Sequence, residues 1–335
     1  MDMSVMALVR RTFPFIVARL VIYGLFLAAA LVFLAIMTGI GFLIFNMFGE
    51  SGGAFFAVIL LSFLVVYSGL RFLERYVLYL VKMGHVAVIT ELLRTGEIPH
   101  GKNMVSYGKQ QVTDSFGASN VAFLVDSMVH GAVKQIQRWI MRAGNLFSFI
   151  PGSKNIIGIL NMIMSMSLNY IDEAVMSYVF VRKSKGNEET VWKSAADGVT
   201  MYAQSWKSIL KSATAAVAFI YIFSILVFIG FVVPFVFIAN LIAADTPGLG
   251  TFLGFIAVVF AAIFTTILKR VLFDPIITIM MIRSYQMSIR NLEPAVDLQQ
   301  KLLSVSPRFQ RLFTKAEEEE KNPTPIPTEE MATRG

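Results

Sequence analysis

The sequence contains no cysteine, which excludes disulfides, thiolate metal sites and thiol nucleophiles and leaves the redox compartment unmarked. Charge is scarce as well: Asp, Glu, Lys and Arg make up 15% of the chain, against roughly a quarter in ordinary soluble domains. Histidine numbers three. Glu97 and His100 have a metal-compatible spacing, but one pair cannot complete a site, so no metal is expected. Walker loops, dinucleotide fingerprints, nucleophile elbows and His-Glu-x-x-His motifs are all missing, and no enzymatic activity or cofactor is expected. The nearest glycine cluster, Gly248, Gly250 and Gly254, opens an apolar run with no strand before it. It reads as a turn plus a helix-packing contact.

What the chain does have is grease. Apolar residues account for 56% of it and mean hydropathy is +0.66, a surface that only lipid can cover. Four runs carry no charge: Leu20 to Gly49, Ser51 to Leu70, Ser212 to Ala244 and Thr246 to Leu268. Each reaches the roughly 20 residues that a helix needs to cross about 30 Å of hydrocarbon, and a helix satisfies its own backbone there. They pair into two transmembrane hairpins joined by acidic, glycine-containing turns, Gly49 to Gly53 and Asp245 to Gly250.

The net charge is +7, and the basic residues gather at the other ends of the hairpins: Arg10, Arg11 and Arg19, then Arg71, Arg75 and Lys82, then Lys207 and Lys211, then Lys269 and Arg270. That placement favours lipid headgroups over nucleic acid. By the positive-inside bias it predicts a multi-pass protein of the cell membrane with both termini cytoplasmic. Arg10-Arg11-Thr12-Phe13 superficially resembles a twin-arginine signal, but the uncharged stretch that follows is too long for a signal core, and it reads as a retained span.

The predicted fold is all-α, a polytopic helical membrane protein with two transmembrane hairpins plus two half-inserted or additional membrane helices. Its parts are an N-terminal hairpin (1–80), a central cytoplasmic or membrane-embedded helical region (81–211), a second hairpin (212–272), a cytoplasmic helical tail (273–316) and a disordered end (317–335). The first and third runs exceed a straight crossing. They must therefore tilt, extend past the membrane or break, and Gly39 and Gly41 in one, and Gly230 and Pro234 in the other, are the candidate helix breaks. A kink is expected at Phe273-Asp274-Pro275. From 294 to 315, Leu298, Leu302, Val305, Phe309 and Leu312 alternate with Lys301, Arg308, Arg311 and Lys315. This amphipathic pattern suits a membrane surface or a protein partner docking through 294–335.

The candidate site lies in two apolar stretches of the centre. Phe116 to Trp139 carries Asp126, His130, Lys134 and Arg138 at steps of four, one stripe along a helix. Ile156 to Val181 is apolar except for adjacent Asp172 and Glu173. If both crossed the membrane, the basic loop between them would be exported, against the charge bias. Half-inserted helices with Phe149-Ile150-Pro151-Gly152 at the bottom of the hairpin avoid that. Both arrangements remain open from sequence. An acid among apolar residues must be paired, hydrated or protonated, so Asp126, His130, Asp172 and Glu173 are the candidates for a solute path. Lys134, Arg138, Asn169 and Tyr170 are their supporting groups. The competing reading is that they mark the wet face of interfacial helices.

Two resemblances follow from short motifs. Phe116-Gly117-Ala118-Ser119 opening an apolar helix, Asp197-Gly198-Val199-Thr200, and the run from Phe273-Asp274 to Arg290 resemble the C-terminal half of the choline transporter-like family. The family's cysteines, extra N-terminal helices and large outer loop are absent. Phe149-Ile150-Pro151-Gly152 followed by Asn169-Tyr170-Ile171-Asp172 is similar to elements of CysZ-type sulfate permeases. Both resemblances imply solute passage without naming a solute. The expectation is therefore a transporter or channel-like protein for a small polar or charged solute, embedded in a lipid bilayer as a homo-oligomer. The alternative is a non-transporting scaffold or assembly protein that docks partners through its cytoplasmic helices.

Overall fold

A computed structural model describes residues 3–48, 52–73, 77–99, 103–116, 119–142, 153–185, 189–242 and 247–321. Among the described residues every regular element is helical, so the fold is all-α. The order is α1 (Val5–Arg11), α2 (Phe13–Phe48), α3 (Gly52–Phe72), α4 (Leu78–Thr95), α5 (Met104–Phe116), α6 (Ser119–Arg142), α7 (Ser153–Ser184), α8 (Val191–Ile242) and α9 (Pro247–Leu268). A π-helical turn, Lys269–Phe273, then leads into α10 (Asp274–Ile289), followed by α11 (Val296–Val305) and α12 (Pro307–Lys321).

Two antiparallel pairs, α2 with α3 and α8 with α9, form the expected hairpins. Stretches of three helices are long and apolar enough to cross a membrane: Phe13–Leu43, Val191–Ile242 and Gly250–Ile289; Leu60–Phe72 is a shorter apolar stretch. Their surfaces are greasy where other proteins are polar. Leu25 is 68% exposed, Phe237 62% and Phe255 67%, a density of bare apolar side chains that a water-soluble monomer does not tolerate. Aromatic contacts hold the hairpins together. Phe264 of α9 packs against Phe231 and Phe235 of α8, and Phe63 of α3 meets Phe260 of α9 edge-on. At the foot, Ile16, Tyr23, Leu70, Leu78, Ile267 and Val271 form one small apolar cluster.

The candidate helix breaks do not occur. Helix α2 runs on through Gly39 and Gly41, and α8 through Gly230 and Pro234. A glycine costs a helix about 1 kcal/mol relative to alanine, while an opened backbone in hydrocarbon costs several kcal/mol per unsatisfied group. Continuity is the cheaper state. Pro234 deletes one backbone hydrogen bond without ending the helix. The expected distortion near Pro275 is real but takes the form of the π-helical turn just before it, which absorbs the loss of the proline N–H by re-spacing the preceding carbonyls.

The boundary read at 211/212 falls inside α8, a single helix of 52 residues. At 1.5 Å per residue it is roughly 78 Å long, more than twice the hydrocarbon thickness. Gly250–Ile289, with 40 residues, is likewise about 60 Å. Both helices therefore leave the membrane region as stalks and enter a second region, a compact helical body built from α4 to α7, the first half of α8, and α10 to α12.

Within the body, Ala122, Val125, Val129, Ala132, Val133 and Ile136 of α6 are fully buried, and α7 is buried throughout from Tyr170 to Phe180. The described apolar faces of these two helices are thus covered by protein. The turn at Phe149 to Gly152 lies outside the described residues. The amphipathic tail also folds inward. Leu302, Phe309 and Leu312 are fully buried against α6 and α8, and α12 continues through Glu317 to Lys321, five residues into the stretch read as disordered.

Two glycines explain the tight crossing of α4 and α5. A Cβ on Gly108 would stand 2.6 Å from the Gly84 carbonyl oxygen and 2.9 Å from its carbon, so the backbones themselves touch. Helix α4 then ends at Gly96, whose φ of 85° places it in the left-handed region that favours glycine.

Candidate functional site

The acids singled out in the sequence meet where α4, α6, α7 and α10 converge. Glu173, 3% exposed, accepts a bond from Lys82 Nζ at 2.6 Å and another from the Thr278 hydroxyl. Asp172 faces the other way, to His130 Nδ1 at 3.1 Å, and its second oxygen accepts the Glu173 backbone N–H at 2.9 Å. Adjacent positions on α7 differ by about 100°, which is how one helix serves α4 and α10 with one acid and α6 with the next. Asp126, one turn before His130, completes the group, with its Oδ1 buried and without a hydrogen-bond partner.

Three acids thus share one lysine and one histidine. Burial pushes the Asp126 carboxyl up to about 7, the nearby Asp172 charge pushes the same way, and Lys82 opposes both. The hydrogen bond to Asp172 holds His130 above its ordinary value. Burial works against the Lys82 charge, but Glu173, Asp172 and Asp126 outweigh it and hold the ammonium firmly protonated. Such a cluster takes up a proton near neutral pH. Among the described residues no group of three or more His, Asp or Glu is arranged to hold a metal ion.

The network extends toward the feet of the hairpins. Tyr170, buried on α7, donates to Asp274 Oδ1 at 2.7 Å, and Lys269 of the π-helical turn lies 3.3 Å from the same carboxylate. Arg19 enters from α2, 7% exposed, with a guanidinium nitrogen that finds no partner; its electrostatic neighbours include Glu173 and Asp274. His85 stacks on Phe15 at 4.9 Å between ring centroids, and neither of its ring nitrogens is hydrogen-bonded. Burial, helped by Arg19, holds it well below its ordinary value, hence neutral. The Tyr79 hydroxyl is also buried without a partner, near Asp126 and Asp172. Unpartnered polar atoms therefore run through the junction from α2 to α6, where a buried polar atom is normally satisfied by protein or water.

Of the eight residues proposed from sequence, Asp126, His130, Asp172 and Glu173 come together, and Tyr170 joins their edge. Lys134 and Arg138 are exposed and stay outside. Each step of four residues turns a helix by about 40°, so the stripe that begins at Asp126 has wound to the surface by Arg138. The side chain of Asn169 lies outside the described residues. Sequence reasoning missed Lys82, Thr278, Asp274 and Arg19 as members. Lys82 had a legible signal, a single charge between Leu78 and Thr90 of an apolar helix. The pairing of Glu173 with Thr278, 105 positions apart, had none.

Comparison of the chain with protein-family models, with curated proteins and with solved structures returns no match. The class is therefore set by the molecule itself: a helical membrane protein whose apolar hairpins stand on a compact helical body, with a buried ionisable cluster near the junction.

Proposed function

We propose that this is a multi-pass protein of the cell membrane, with both termini on the cytoplasmic side, that passes a small polar or charged solute and works as a homo-oligomer. The observation that carries the reading is the cluster of Asp126, His130, Asp172 and Glu173 around Lys82. Burying three carboxylates around one lysine is costly, and ionisable clusters with shifted proton affinities gather at functional sites. The unpartnered Arg19, Tyr79 and Asp126 atoms supply donors and acceptors for water or solute along the same junction.

The orientation draws on the chain ends. The Met3 carbonyl accepts from Arg283 at 2.8 Å and α12 packs on α6 and α8, so Met3 and α12 both rest on the body. The body side also carries the clustered basic residues that mark a cytoplasmic face. The scaffold alternative has less support, because the apolar face of the tail, its obvious docking surface, is spent on the body itself.

The test is solute flux into liposomes. The variant Asp172→Asn with Glu173→Gln is expected to abolish flux, and His130→Gln, at a position 37% exposed, to shift its pH dependence. Flux unchanged in both, with the proteins folded, removes the site assignment. Absence of flux for any ion or small solute in the wild-type protein removes the transport reading.

A further inference from the structure

A second polar site lies at the far end of the body. A cleft of about 610 Å³ opens between the C-terminal ends of α7 and α10, the start of α8 and the link into α11. Its size suits a nucleotide-sized ligand. Its walls stand on fixed elements: Gln204 bonds the Glu293 carbonyl at 3.1 Å and the Ala295 N–H at 3.4 Å, pinning the link, and Tyr285 donates to the Gly198 carbonyl at 2.8 Å.

The charges of the cleft are unevenly matched. Arg182 pairs with Glu189 at 2.7 Å and Lys193 with Asp197 at 2.7 Å. Asp197, 5% exposed, also accepts from Gln299 at 2.9 Å, so the floor is neutralised. Lys185 and Arg290 remain, both exposed and without a carboxylate partner among the described residues, against Glu293 as the one lining acid outside an ion pair. Position argues against a lipid headgroup. Asp197 precedes the charge-free run of α8 by 15 residues, and Gln286 follows that of α9 by 18. Along continuous helices both distances are roughly 20 to 30 Å from the hydrocarbon.

We propose that this cleft binds a small soluble phosphate ester, with Lys185 and Arg290 on the phosphate and Asp197 accepting from a hydroxyl or amine of the ligand. The guanidinium offers a paired contact to phosphate and the ammonium a point charge. Nothing in this assignment depends on whether the junction passes solute.

The experiment is calorimetric titration of the full-length protein in neutral detergent with adenosine 5′-monophosphate, ribose 5-phosphate and adenosine. The expected result is saturable binding of at least one phosphate ester with Kd below about 1 mM, none of adenosine, and a loss of about tenfold or more in Lys185→Glu with Arg290→Glu. Both replaced side chains are exposed, so folding is not at stake. Lys134→Glu, an exposed lysine on α6, is the control and should bind as wild type. Failure of both phosphate esters to bind, equal affinity in the double variant, or binding seen only after adding vesicles of anionic lipid would overturn the proposal.

Discussion

The hairpins and the body obey opposite rules with the same amino acids. In the hairpins, Leu25, Ile36, Leu226 and Phe255 point outward and glycines such as Gly39 and Gly230 have nothing within 4 Å of a would-be Cβ. In the body, Val86, Ile89, Val129 and Ile282 are sealed, and Gly84 and Gly108 are in backbone contact. The difference lies in the surroundings. Among acyl chains an apolar side chain has no need to turn inward, so sequence there is held by hydropathy and length. In the body most apolar groups pack against protein, so shape decides, and buried charges need named partners.

That contrast can be broken most sharply at its ionic core. Lys82→Met strands Glu173 in a buried position, and removing one partner of such a pair costs about 3–5 kcal/mol. The expected outcome is loss of a monodisperse species in mild detergent, measured by size exclusion and thermal unfolding, with Lys82→Met plus Glu173→Leu regaining much of it. Next comes the helix crossing. Gly108→Ala forces α4 and α5 apart and is expected to cost about 1–3 kcal/mol, whereas Gly39→Ala in α2, where a Cβ meets open space, should hold the melting temperature or raise it slightly. If the two glycines behave alike, the contrast between the regions fails.

A third expectation concerns pH. The Asp126 carboxyl and the His130 imidazole both bind protons more tightly in the folded chain than in the unfolded one. For such groups the stabilisation is present at low pH and fades as pH rises through the raised value. Stability should therefore fall as pH rises from about 4, where the unfolded carboxyl begins to ionise, through the Asp126 value of about 7. Asp126→Asn should flatten that slope, with a melting temperature a few degrees above wild type at pH 8 and close to it near pH 4, read by differential scanning fluorimetry. The smallest effect is expected at the tail. The Ser306 hydroxyl accepts the Phe309 N–H at 3.1 Å and donates to Gln135 at 2.7 Å. Ser306→Ala should cost about 1 kcal/mol and show as faster amide exchange in α12, with α2 and α3 unaffected.

The hairpins were the legible part. Four charge-free runs needed no partner to be read, because lipid is the same everywhere along them; α3 and α9 begin and end near the expected places, as do the C-terminal ends of α2 and α8, whereas α8 begins at Val191, well before its charge-free run. That α2 and α8 run on through Gly39, Gly41, Gly230 and Pro234 was not legible, because a glycine or proline marks where a helix can break and not whether it does. The body was legible only in part. Asp172 and Glu173 stood out as acids in an apolar helix, but their partners Lys82 and Thr278 come from 91 and 105 positions away, and nothing local connects them. Lys134 and Arg138 looked like members because spacing by four ignores the slow winding of the helix face. The inward docking of Leu302, Phe309 and Leu312 was equally invisible, since an amphipathic helix advertises a greasy face without saying what will cover it.

The uninterrupted length of α8 has a mechanical consequence. Its 52 residues make one continuous helix whose apolar half pairs with α9 and whose first half packs among α7, α10 and α12. Over roughly 78 Å a tilt of a few degrees displaces one end by several ångströms relative to the other, so α8 cannot re-tilt in its apolar half without loading the packing beside Lys193 and Asp197.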